Sequence, residues 1–219
     1  MKIGIVAAMS LELEYVLNHL QNVEITSYKK AQFYRGRYGN EELILLACGI
    51  GKTNAGVYTQ VLIDYFEPDA VINIGIAGGL SSHLKPLEVI LGTSFSHHDV
   101  RVDQMLHFFP FIDSFLADEK LIKKFAPHFD EKHQGKIVSG EGFINEESEK
   151  LRIIETFNPL LVDMETSSMA HCCLINEVPF ISLRGISDLA DASAEVSYKA
   201  NEQRAADKVG EKLLKVLKK

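Results

Sequence analysis

Three short segments of this sequence place carboxylates directly after apolar runs. They are Met9-Ser10-Leu11-Glu12, Asp163-Met164-Glu165 and Arg184-Gly185-Ile186-Ser187-Asp188. A fourth apolar run ends in Ile76-Ala77-Gly78-Gly79. Carboxylates can accept hydrogen bonds or move protons, and an arginine among them can orient both. In open α/β sheets, ligands bind beyond the carboxyl ends of strands, so these segments outline one candidate site. Each residue taken singly also suits a structural role. Glu12 and Glu165 fall in first helical turns, where the helix dipole favours an acid. Asp188 suits an N-cap or a turn. Met164 and Met169 are ordinary core residues when read alone.

Other motifs fall away on their chemistry. Gly49-Ile50-Gly51-Lys52-Thr53 resembles the end of a phosphate-binding loop, but that motif needs a glycine where Leu46 stands. His97-His98-Asp99 has metal-ligand types, yet neighbours on a strand point to opposite faces and cannot easily share one ion. Cys172-Cys173 lies in an apolar helical stretch and reads as core packing. No metal or cofactor is expected.

The elements that must position the candidate site follow from patterning. Residues 3–8 form a continuous apolar run, the mark of a strand covered on both faces. Ser10 offers an N-cap for a helix over 11–20. Residues 33–38 and 42–48 flank Gly39-Asn40 and read as a hairpin. Further strands are expected at 70–76, 88–95, 137–139, 160–162 and 178–186. Helices are expected at 54–66, 146–156, 166–175 and 198–217, the last ending in lysines as the helix dipole favours. Strands alternate with helices, which predicts a single α/β domain over 1–219: a twisted, mixed, mostly parallel sheet flanked by helices. Residues 96–118 are the least regular stretch, and long irregular segments are often functional.

Bulk properties narrow the class. The 219 residues are 46% hydrophobic and 24% charged, the balance of a soluble globular protein. The formal net charge of -7 repels nucleic-acid backbones. Lys29-Lys30, Lys123-Lys124 and Lys218-Lys219 read as solvated faces. Cys48, Cys172 and Cys173 form no CxxC pair. An odd count without a secretory signal predicts reduced thiols and a cytoplasmic home. The apolar run at the N-terminus is too short to span a membrane.

Read together, several segments resemble the nucleoside phosphorylase/hydrolase family, and within it the methylthioadenosine/S-adenosylhomocysteine nucleosidase branch. They are Lys2-Ile3-Gly4-Ile5 with Ala8-Met9 and Glu12, then Gly49-Ile50-Gly51-Lys52, then Gly75 with Ala77-Gly78-Gly79. Ser139-Gly140 with Phe143-Ile144-Asn145 follows, then Met164-Glu165, then Arg184 with Ile186-Ser187-Asp188 and Asp191. They run in the family's order across almost the whole chain. The resemblance implies hydrolysis of the N-glycosidic bond of an adenine nucleoside through an oxocarbenium-like sugar. Asp188 would then protonate the adenine N7, and Glu12 would take a proton from the attacking water. Glu165 would accept the ribose 2′- and 3′-hydroxyls. Arg184 would orient the acids and the water. Phe143 would stack on the purine, and the Ile144 backbone would read its edge. Met9, Ile50, Met164 and Tyr198 would line the pocket beside Ala77, Gly78 and Ser187. The resemblance also implies a homodimer, in which Val102 and Met105 reach the neighbour's 5′-pocket.

Two alternatives stay open within the resemblance. A phosphorylase would need arginines that its relatives carry after the first and middle strands, where this chain has Glu12, Glu14 and Ile76-Ala77-Gly78. An aminofutalosine-type nucleosidase would keep the chemistry and change the substrate. Ile76 stands where many family members have Ser or Thr, Asp163 where Glu is common, and 98–110 matches the family loosely.

Overall fold

The computed structural model describes residues 1–218, and Lys219, the end of the basic tail, lies outside the described residues. The chain begins with β1 (Lys2–Ala7), α1 (Ser10–Leu17), β2 (Gln21–Tyr28), β3 (Ala31–Tyr38) and β4 (Glu41–Ala47). It continues through α2 (Lys52–Phe66), β5 (Ala70–Gly79), β6 (Val89–His97), α3 (Val102–His107), β7 (Phe115–Leu116) and α4 (Glu119–Phe125). It closes with β8 (Gln134–Ser139), α5 (Glu147–Phe157), β9 (Leu161–Asp163), α6 (Thr166–Ile175), β10 (Phe180–Asp188) and α7 (Ala194–Leu217).

One mixed sheet takes in every strand. Pairing is parallel across β4, β1, β5 and β10, and again across β6, β8 and β9. It is antiparallel in the β2–β3–β4 meander, between β10 and β6, and between β9 and the end of β5. Because β10 also pairs with β5, the strands β5, β10, β6, β8 and β9 close into a ring. Helices cover the sheet: α7 packs across β10 and against α1, and α2 packs on α6. Every residue of β5 and of β10 is buried; β5 reads as a near-continuous apolar run, while β10 carries Ser182, Arg184, Ser187 and Asp188 into the interior.

Several boundaries differ from the sequence expectations, each for a local reason. Helix α1 stops at Leu17 and the chain turns into β2. Strand β2 is exposed on both faces, so it carries no alternation to read. Ser10 is the first helical residue, and Met9 holds the N-cap position. The Glu12 carboxylate does the capping, accepting the Met9 N–H at 2.8 Å. Strand β5 runs through Gly79 because Gly78 and Gly79 pair with β9. Likewise β10 runs through Asp188, two residues past the expected end at Ile186, so Asp188 is a strand residue and not a loop residue. The irregular stretch at 96–118 contains the short helix α3 and strand β7.

Candidate active site

The ends of β5 and β10, the start of α1 and the turn between β9 and α6 surround a cavity of about 320 Å³. Of the expected site residues, the structure brings Met9, Glu12, Ile50, Ala77, Gly78, Phe143, Met164, Glu165, Ser187, Asp188 and Tyr198 together around it. Ile144 borders a small recess of about 30 Å³ that shares Gly78, Phe143, Met164 and Asp188 with the main cavity.

Glu12 sits in the first turn of α1 and is 2% exposed. Its Oε2 accepts the Met9 N–H, and its Oε1 accepts the Ile76 N–H at 2.9 Å. Burial pushes its carboxyl above the ordinary range, although Arg184 and the two amides pull the other way. The backbone of Ile76 thus serves the site from both ends, since its carbonyl accepts from Arg184 Nη1 at 3.1 Å. Gly75 makes room for this arrangement. A Cβ there would fall 2.6 Å from Glu12 Oε1 and would also strike Arg184 Nη1.

Arg184 does not reach the cavity. It lies behind the cavity wall, 0% exposed. Its Nη2 is 2.8 Å from Asp163 Oδ2 and 3.5 Å from Glu165 Oε2, and its Nε donates to Thr166 Oγ1 at 3.1 Å. Burial works against the guanidinium charge, but Asp163, Glu165 and Glu12 outweigh it and raise its pKa. Asp163 is the hub that sequence reading noted as a departure but gave no role. It accepts from the Ser139 and Thr166 hydroxyls, and from the amides of Glu165 and Thr166 at 3.2 Å each. The available signal was an acid closing the buried strand Leu161-Val162-Asp163.

Glu165 holds the N-cap position of α6 and is 4% exposed. The Gly51 N–H donates to its Oε1 at 3.0 Å. Burial pushes its pKa up to about 7, against the pull of Arg184. Asp188 closes β10 with Oδ2 accepting from Ser187 Oγ at 2.7 Å and Oδ1 from the Ala190 N–H at 2.9 Å. Burial again raises its pKa, and these two hydrogen bonds oppose the rise. Phe143 is 43% exposed and meets Tyr198 edge to face at 6.1 Å. The Tyr198 hydroxyl donates to Met9 Sδ at 3.4 Å.

Some expected residues lie elsewhere, and some cavity residues were not foreseen. Val102 and Met105 are half-buried on α3 and do not border the cavity of their own chain. Glu195 and Lys199 do border it, one turn apart on α7 beside Tyr198. Their spacing was the signal, but that helix was expected to begin at Tyr198. The glycine-rich turn before α2 offers its Gly51 and Lys52 amides to the carboxylates of Glu165 and Glu141. His97 and His98 face different partners: His97 Nδ1 meets Ser167 Oγ at 2.7 Å, and the His98 ring lies against Gly140. Cys173 is fully buried in the core and Cys172 packs against it.

The family model of the phosphorylase superfamily matches residues 2–218. A 5′-methylthioadenosine/S-adenosylhomocysteine nucleosidase of Exiguobacterium sp. is 36% identical over 90% of this chain and 89% of its own. The nucleosidase of that name from S. pneumoniae, solved with a transition-state inhibitor, superposes with a TM-score of 0.94 at 27% identity. That match covers 100% of this chain and 99% of the other. A futalosine hydrolase mutant of Helicobacter pylori superposes with a TM-score of 0.92 at 28% identity, covering 99% and 98%. The ring of strands, the acids at their ends and the match along the chain lead to one assignment: the chain belongs to the phosphorylase superfamily.

Proposed function

We propose that this chain is a nucleosidase that hydrolyses the N-glycosidic bond of 5′-methylthioadenosine and S-adenosylhomocysteine, acting as a single domain. The products are adenine and the 5-thio-substituted ribose. The observation that carries this reading is the pair of buried acids, Glu12 and Asp188, on one cavity, both with carboxyls raised by burial. A group held near its neutral form can give a proton, and a raised carboxylate is a better base.

The purine lies against Phe143, with the Ile144 backbone at its edge. Asp188 gives its proton to N7 as the bond from C1′ to the base breaks. Positive charge develops on the sugar, as in other glycoside cleavages. Water attacks C1′ and loses a proton to Glu12. Glu165 accepts the 2′- and 3′-hydroxyls, and Met9, Ile50, Met164 and Tyr198 surround the 5′ side. Arg184 acts from behind by fixing Glu165 and Asp163.

Hydrolysis is favoured over phosphorolysis by charge. Arg184 is already held by carboxylates, and Glu12 faces the place where a phosphate dianion would have to stand. The exposed face of α3 and the turn after it, with Phe108, Phe109 and Phe111 each more than 60% exposed, suits a homodimer contact. Val102 and Met105 would then serve the partner's cavity. The cellular setting we propose is methionine salvage in the cytoplasm, and no helix among the described residues is long and apolar enough to cross a membrane.

Adenine release by the purified protein tests the reading. Methylthioadenosine, adenosylhomocysteine and aminofutalosine are compared with and without phosphate. Phosphate-independent release, fastest from the two thio-nucleosides, is expected. Release that requires phosphate would make the chain a phosphorylase, and a preference for aminofutalosine would move it to that substrate.

A further inference from the structure

Two sequence motifs hold side chains with no part in this chemistry: Asp99 in His97-His98-Asp99 and Lys52 in Gly49-Ile50-Gly51-Lys52. The structure joins them. Asp99 Oδ1 accepts from Lys52 Nζ at 2.5 Å, and Asp99 Oδ2 accepts the Glu141 N–H at 3.0 Å. Glu141 completes the circuit, its Oε1 accepting the Lys52 N–H at 3.1 Å. Three loops therefore close on one another: the one after β6, the one that opens α2 and the one after β8. None of the three side chains borders the cavity, but two of the loops carry residues that do, Ile50 and Phe143.

Gly51 stands at the centre of this circuit. Its N–H is the one on Glu165 Oε1. Its φ of +98° is a conformation that L side chains rarely adopt, and a Cβ there would meet Glu141 Oε2 at 2.7 Å. The turn therefore depends on outside contacts to keep its amide aimed. The Lys52 and Asp99 side chains keep 16% and 29% exposure, so the ion pair contributes more to geometry than to stability.

We propose that Asp99 is a positioning residue of the reaction: by holding Lys52 and the Glu141 amide at once, it keeps the Gly51 N–H on Glu165 and so fixes the carboxylate that takes the ribose hydroxyls. This rests on the nucleosidase reading above. An asparagine at 99 offers one acceptor where two are used. With the turn loosened, Glu165 loses a contact that favours its charged form and takes up its proton at higher pH.

Asp99→Asn and Lys52→Met in the full chain test this. Adenine release from methylthioadenosine is followed from about pH 5 to 9, with thermal unfolding in parallel. The expected result in both variants is a KM raised about tenfold, a kcat within about threefold of wild type, and an acid limb of kcat/KM moved to higher pH. Lys52→Arg keeps the charge and recovers most of what Lys52→Met loses. The proposal is overturned if kcat falls while KM holds, if the loss is equal at every pH, or if a folded variant matches wild type. If Asp99→Asn does not fold, Lys52→Met decides by the same criteria. Failure of both to fold would assign the cluster to the scaffold alone and overturn the proposal. Wild-type protein that releases no adenine would instead overturn the nucleosidase reading.

Discussion

Arg184 Nη2 lies 2.8 Å from Asp163 Oδ2, with the two side chains 1% and 2% exposed. Breaking a buried pair by removing one partner leaves an uncompensated charge and costs about 3–5 kcal/mol. Asp163 also receives two hydroxyls and two amides, which Ala would leave unpaired. Asp163→Ala is therefore expected to lower the thermal midpoint by roughly 10 °C, measured by circular dichroism. An unchanged midpoint would show that the pair adds nothing to the fold.

Asp188→Asn keeps the shape of the proposed proton donor and removes the proton. Turnover should fall by at least about 100-fold, the scale of a lost general acid. Nucleoside binding, followed by calorimetry, should change by only a few-fold. Unchanged turnover would remove Asp188 from the mechanism.

Glu12→Gln tests the other half. The Gln oxygen can still accept the Ile76 N–H, but its NH₂ would then face the Met9 N–H, where Glu12 Oε2 now accepts. Loss of the base should lower kcat by about 100-fold or more while KM moves less. Near-normal rates would move the base to another residue.

The pH profile follows from the raised carboxyls. Burial lets Asp188 keep its proton above the ordinary value of 3.8, and rates fall as rising pH removes it. Glu165, pushed up to about 7, gains a proton as pH falls and then grips the ribose hydroxyls less well. Glu12, also raised, loses its basicity in the same direction. A bell-shaped kcat/KM is expected, with the acid limb reporting Glu12 and Glu165 jointly. The residual activity of Asp188→Asn should lack the alkaline limb. A flat profile in wild type would count against acid–base chemistry at this site.

Much of the site was legible because strand ends announce themselves. Glu12, Glu165 and Asp188 each follow or close an apolar run, and all three meet at one cavity. What the sequence hid is depth. Nothing in the spacing of Arg184 says that it stands behind the wall, held by Asp163. Contacts from distant loops were equally silent: the Gly51 amide reaches Glu165 across 114 positions. Strand β2 escaped because exposure on both faces erases the periodic signal, and Glu195 because the apolar Val196 beside it is exposed and blurs the helical period.

The ring of strands has a dynamic consequence. Strand β10 is hydrogen-bonded to β5 on one side and β6 on the other, and every one of its residues is buried. Its ladder amides are paired on one side or the other and shielded by burial, so they exchange with solvent only through large opening events. The exposed strand β2, paired with β3 alone, has no such protection. Arg184 and Asp188 are therefore anchored on a part of the molecule that opens rarely, while Ile50 and Phe143 on the cavity rim stay exposed to solvent.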